Sequence, residues 1–196
     1  MNMSIKGVGK MSKNVDLRVQ RTYKYLMNAL LSLMEEKNFK DITVQEICDK
    51  AMVRRATFYK HFGDKYELIT FYIHQLQEEF RQSQPLAKHH DIREYFASII
   101  YHIWQFVEEN RDALSKIIRQ LGNGSPVLDI LSSEIQSGIL AYLKQDFNQE
   151  ELMKENPALM ASMITGAMVF TFKQWLMGEI DITRQEILDL CLQMLR

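Results

Sequence analysis

Apolar residues recur along this chain in steps of three and four almost without a break. The first stripe runs through Val19, Tyr23, Leu26, Met27, Leu30 and Met34, which predicts a helix over about residues 15–36 with one buried face. After a short break at 38–42, Thr43 is followed three residues on by Glu46, the signature of a capping box. Val44, Ile47, Cys48 and Ala51 then form the apolar face of a short second helix. A third pattern opens almost at once at Val53 and closes at His61-Phe62-Gly63, where Gly63 suits a left-handed cap. Two short helices joined by a tight turn near Met52 make a helix-turn-helix candidate.

The same theme of a capped start and a helical stripe repeats to the end. Asp64 with Glu67 opens a long helix carrying Ile69, Tyr72, Ile73, Leu76 and Phe80, which stops before Pro85. Asp91 with Glu94 opens a helix over 92–107, and a shorter one spans 111–121. Gly122-Asn123-Gly124 is a loop, and Ser125-Pro126 starts a helix reaching about residue 147. Asn156-Pro157 starts another to about Met177, with proline at the first helical position. Thr183 with Glu186 starts the last, to Leu195. Strand-like alternation is absent, so the fold class is all-α with about nine helices.

Charge changes the picture more than composition does. At 46% hydrophobic and 25% charged residues the 196-residue chain has a globular profile, and its net charge is −1. Residues 1–65, however, hold 13 Lys/Arg against 7 Asp/Glu, a balance of +6, and residues 66–196 hold 11 against 18, a balance of −7. A basic first third and an acidic remainder suggest that one end meets a polyanion. Residues 1–14, with Lys6, Lys10 and Lys13, read as a disordered basic arm, and Met11 is an alternative start. Cys48 and Cys191 offer neither a metal spacing nor a disulfide framework. No signal peptide opens the chain, and the uncharged run 157–172 is shorter than a membrane span. The expectation is a cytoplasmic protein with no membrane partner.

The basic third contains the segment TVQEICDKAMVRRATFYKHF, residues 43–62. A helix entering the major groove needs an inward face to anchor it and an outward face for phosphates and base edges. Phe58, Phe62 and Val53 supply the anchor; Arg54, Arg55, Thr57, Tyr59, Lys60 and His61 supply hydrogen-bond donors, with no acidic residue from Val53 to Gly63. Thr43, Tyr59 and Lys60 are assigned to phosphates and Arg54, Arg55 and Thr57 to bases, with Lys65 reaching the DNA backbone from the start of the fourth helix.

This segment resembles the DNA-binding domain of the TetR family of bacterial repressors over about Arg21 to Leu68. The resemblance rests on Phe39, Thr43-Val44, Ile47, Ala51, Val53, Ala56-Thr57-Phe58-Tyr59, His61-Phe62, Lys65 and Leu68. Three positions depart from the family pattern: Met52 where glycine often forms the turn, Cys48 where alanine is usual, and Arg54 where Ser or Asn would cap the recognition helix. The resemblance implies a three-helix DNA-binding domain at 1–64 and a helical ligand-binding and dimerisation body at 65–196. It also implies a homodimer built on helices 157–177 and 183–195, a palindromic double-stranded operator, and repression relieved by a small-molecule effector that moves the fourth helix.

The chemistry of the effector is not written in the sequence. Tyr72, Tyr95, Phe96, Tyr101, His102, Trp104, Phe170 and Trp175 lie in the body, but aromatics at helical spacing more often form plain core. His74, His89, His90 and His102 show no i, i+4 pairing of a helical metal site, and no cofactor motif appears. Catalysis has no supporting motif either: there is no Gly-x-Ser-x-Gly elbow and no phosphate loop. The alternatives to a ligand-responsive repressor are a metal-responsive or ligand-independent regulator and, in another class, a helical protein that binds only protein.

Overall fold

A computed structural model describes residues 17–83, 92–121, 125–146 and 156–194. Among these residues there are nine α-helices and no strand. They are α1 (Leu17–Glu36), α2 (Val44–Ala51), α3 (Arg55–His61), α4 (Lys65–Ser83), α5 (Ile92–Glu109), α6 (Arg111–Leu121), α7 (Pro126–Asp146), α8 (Pro157–Met177) and α9 (Arg184–Met194), with a 3₁₀ turn at Phe39–Asp41. The all-α expectation holds, and the observed helix ends fall within two residues of those read from the apolar stripes. No described helix is long and apolar enough to cross a membrane. The basic arm, the Asp91 cap, the 122–124 loop, His89-His90 and the side chains of Tyr95, Phe96 and Cys191 lie outside the described residues.

The chain forms two compact units, Met1–Glu79 with Asn110–Leu131, and Phe80–Glu109 with Ser132–Arg196. In the first, the predicted stripe of α1 buries Leu26, Met27, Leu30 and Met34, and α1 packs against both α2 and α6. Lys116 of α6 reaches Glu35 of α1 at 3.1 Å. Phe39, Ile42, Ile47, Cys48, Phe58 and Leu68 complete the core. The six residues are almost wholly removed from water, and each large apolar side chain so buried stabilises by about 1.5–3 kcal/mol.

In the second unit α9 packs on α5, and Ile139 and Leu143 of α7 meet Ala161 of α8. Trp104, Phe172 and Trp175 are buried together, the two indoles with centroids 4.4 Å apart. Asn156 caps α8 by accepting from the Leu159 N–H, with Pro157 in the first turn, and Gly178 ends it at φ 76°. Here only glycine is free of the left-handed penalty. Thr183 and Glu186 form the reciprocal contacts expected at the start of α9.

Candidate nucleic-acid interface

The interface is assembled from the bottom of the first unit. At the start of α2 the Thr43 hydroxyl accepts from the Glu46 N–H at 3.2 Å while the Glu46 carboxylate accepts from the Thr43 N–H at 2.9 Å. This is the capping box foreseen from Thr43 and Glu46; such a cap stabilises a helix by about 1 kcal/mol. Lys37, one residue beyond α1, pairs with Glu46 and donates to the Asp41 carbonyl. The Lys37 ammonium, followed by the Thr43 hydrogen bonds, holds the Glu46 carboxyl down at about 2.

Between α2 and α3 the chain reverses at Met52, whose φ of 54° and ψ of 38° are left-handed. A side chain is strained in that conformation, and the Met52 side chain is 94% exposed, so it gains no packing in return. Arg54 stands at the α3 cap and its side chain makes no capping hydrogen bond, as expected for a residue that replaces the usual capping oxygen. The buried rings of Phe58 and Phe62, 5.8 Å apart, fix the inner face of α3.

With that face anchored, Arg54, Arg55, Tyr59 and Lys60 are exposed together, and Thr43 is exposed at the start of α2. The Arg55 guanidinium lies 5.6 Å from the Tyr59 ring centroid and donates to its hydroxyl at 3.4 Å. Thr57 is half-buried. The Arg55–Tyr59 pair lies along the helix and leaves both polar ends at the surface.

Two other residues assigned to DNA are turned toward the protein. His61 is half-buried, with its Nδ1 3.2 Å from the Tyr23 hydroxyl and its ring edge-on to the Tyr23 ring. Lys65 donates from Nζ to the carbonyls of Phe39, Lys40 and Ile42 at 2.7, 2.8 and 2.7 Å. These bonds match the three donors of an ammonium, and burial pushes the Lys65 pKa down. Gly63 also differs from expectation, because it does not adopt a positive φ. A Cβ there would meet the exposed Glu67 side chain at Oε1, 3.3 Å away, and Glu67 accepts from the Gly63 N–H at 2.7 Å.

Sequence reasoning missed Lys37, which orients both the turn and the Glu46 cap; its place one residue beyond α1, facing a capping-box glutamate, was the available signal. Among the aromatics of the body, Tyr72, Trp104 and Trp175 are buried, whereas Phe170 is 61% and Tyr101 40% exposed. Phe170 is therefore a surface residue of α8. Among the described residues no three His, Cys, Asp or Glu side chains converge on a metal position.

Residues 26–70 match the profile of bacterial regulatory proteins of the tetR family, and residues 94–196 match that of a transcriptional regulator C-terminal region. An uncharacterized HTH-type transcriptional regulator, YxbF, of Bacillus subtilis (strain 168) is 39% identical over 67 residues, 34% of this chain and 18% of its own length. The chain spans a quarter or less of the curated relatives it matches. The fold is shared with a TetR-family transcriptional regulator from Syntrophomonas wolfei, at 18% identity, TM-score 0.69, and coverage of 90% of this chain and 93% of that one. Lin0861 from Listeria innocua is similar at 22% identity and TM-score 0.64, with 97% of both chains covered. The capped α2, the anchored α3 and the two profile matches agree, and the chain belongs to the TetR family of helix-turn-helix, DNA-binding transcriptional regulators.

Proposed function

We propose that this protein is a ligand-responsive repressor that binds a palindromic operator as a homodimer in the cytoplasm. Residues 1–64 form the DNA-binding part, and 65–196 the regulatory and dimerisation body. The observation that carries the reading is the outward face of α3, where Arg54, Arg55, Tyr59 and Lys60 stand exposed over buried Phe58 and Phe62. Thr43, Tyr59 and Lys60 contact phosphates, and Arg54, Arg55 and Thr57 read base edges. His61 and Lys65 support the domain from within.

Dimerisation is supported by an apolar stripe on α8. Leu159, Met163 and Phe170 are 56–63% exposed, Met177 is 36% exposed, and Gly166 and Ala167 are exposed between them. A Cβ at Gly166 would meet nothing within 4 Å, so a second helix has room to approach there. Ala161, a small residue of the same helix, is instead buried inside its own protomer. A two-fold dimer places its recognition helices about one DNA turn apart, which demands a palindrome. Repression needs only occupancy of the promoter.

The test is selection of genomic DNA fragments by the purified full chain, followed by binding to the selected fragment across a salt series. A palindrome bound with affinity that falls steeply as salt rises supports the reading. Sequence-blind binding alone would remove the base-reading roles of Arg54, Arg55 and Thr57, and no binding at low salt would leave the protein-only scaffold.

A further inference from the structure

Two lysines hold four successive carbonyls between α1 and α2. Lys65, the first residue of α4, takes those of Phe39, Lys40 and Ile42, and Lys37 takes that of Asp41. The Lys65 ammonium also lies 4.9 Å from the Phe39 ring centroid and 5.7 Å from that of Tyr66. Phe39 is itself wholly buried, so the cradle is fixed on its inner side. Its last carbonyl belongs to Ile42, next to the Thr43 cap from which α2 begins.

The Glu46 N–H is taken by the Thr43 hydroxyl, and the other first-turn N–H groups of α2 have no partners inside the helix and face whatever anion lies at its end. Their placement follows the 39–42 segment, and that segment is tied to α4 through one ammonium. We propose that Lys65 is a positioning residue that couples α4 to the N-terminus of α2, setting the DNA-binding face through the 39–42 carbonyls without touching DNA. This rests on the DNA-binding reading above.

The geometry separates this role from a phosphate contact. An ammonium is compact and directs three donors to three carbonyls, whereas the planar guanidinium of arginine cannot reproduce that cradle. Lys65→Arg would thus preserve a phosphate contact but break the positioning one. Loss of a phosphate contact also lowers the slope of log K against log salt by about 0.9, whereas loss of positioning leaves the slope unchanged.

The experiment compares the unaltered full chain, Lys65→Met and Lys65→Arg on the selected DNA fragment, at a temperature where circular dichroism shows all three folded. Both variants are expected to bind roughly tenfold or more weakly with an unchanged salt slope, the size of one lost charge-assisted hydrogen bond. Amide exchange should quicken at Glu46 and Ile47, whose N–H groups are held by the Thr43 hydroxyl and carbonyl, and stay the same at Arg55–Phe62. Full binding by Lys65→Arg, or a slope lowered by about one unit in Lys65→Met, would overturn the proposal in favour of a phosphate contact.

Nitrogen NMR of the unaltered chain decides the matter even if Lys65→Met does not fold. The Lys65 Nζ protons should resist exchange both free and on DNA, and release from the cradle on binding DNA would overturn the proposal. Failure of the unaltered chain to bind any DNA would instead remove the reading beneath it. In that case the exchange of the Glu46 and Ile47 amides in Lys65→Arg still tests the link between α4 and α2.

Discussion

The phenolic oxygen of Tyr23 lies 3.2 Å from Nδ1 of His61, across a sequence separation of 38 residues. Tyr23 also packs against Phe62 and Phe71, with centroids 5.2 and 4.9 Å away. One side chain of α1 thereby meets the end of α3, the residue that follows it, and α4. A recognition helix of only seven residues has little intrinsic stability, so its position depends on contacts of this kind.

Tyr23→Phe should remove the hydrogen bond and keep the ring contacts. Urea unfolding at fixed protein concentration should show a loss of about 1 kcal/mol. The salt dependence of DNA binding should not change, because His61 faces α1. A lowered salt slope in His61→Gln would return His61 to the DNA-contacting set.

The capping box carries a pH signature. Glu46 is held at about 2 against an ordinary 4.5, first by Lys37 and then by Thr43. A carboxyl depressed in the folded state contributes stability that is present above its ordinary pKa and is lost as pH falls through the folded value. Stability should therefore drop between about pH 4.5 and 2, and Glu46→Gln should flatten the part of that drop due to this group. Denaturant midpoints across the range measure it; equal profiles for the two proteins would contradict the assigned network.

The helices, the Thr43 cap and the tight turn near Met52 were legible in the sequence because each is a local matter of spacing or cap chemistry. The partners of His61 and Lys65 were not. Both are polar residues in a basic segment, and composition alone points such residues outward. Their inward turn depends on Tyr23, 38 residues away, and on carbonyls 23 to 26 residues away. No periodic pattern encodes a side chain that satisfies backbone acceptors at that distance. Phe170 erred the other way, since an aromatic in an apolar helix reads as core until the packing shows which side faces in.

Met52→Gly should stabilise the protein. A left-handed non-glycine residue costs about 1–2 kcal/mol, and glycine returns about 0.5–1 kcal/mol of that through its freedom in the unfolded chain. Because the Met52 side chain is 94% exposed, almost no packing is lost. A net gain of about 0.5–1 kcal/mol is expected from the shift in urea midpoint. An unchanged or lower midpoint would mean that Met52 has a contact outside the single protomer.

The outward face of α3 should divide by role. Lys60→Ala is expected to weaken binding to all sequences alike and to lower the salt slope by about one unit. Arg55→Ala is expected to cost about 1–3 kcal/mol on the selected operator and much less on unrelated DNA. Arg55 also stacks along Tyr59, so Tyr59→Ala should relax specificity as well as remove a phosphate contact. Equal losses on operator and random DNA for Arg55→Ala would move that residue to the phosphate group.

The α8 stripe makes the last prediction. Phe170 is 61% exposed and lies seven residues from Met163 on one side and seven from Met177 on the other. Residues seven apart share a helix face, so a partner helix would cover all three. Phe170→Glu places a carboxylate in the middle of that face, where burial against a second α8 would leave two like charges without a counterion. Sedimentation should then show monomer at concentrations where the unaltered chain is dimeric. Operator affinity should fall because each monomer binds one half-site alone, while binding to an isolated half-site stays as it was. A variant that remains dimeric would place the interface elsewhere.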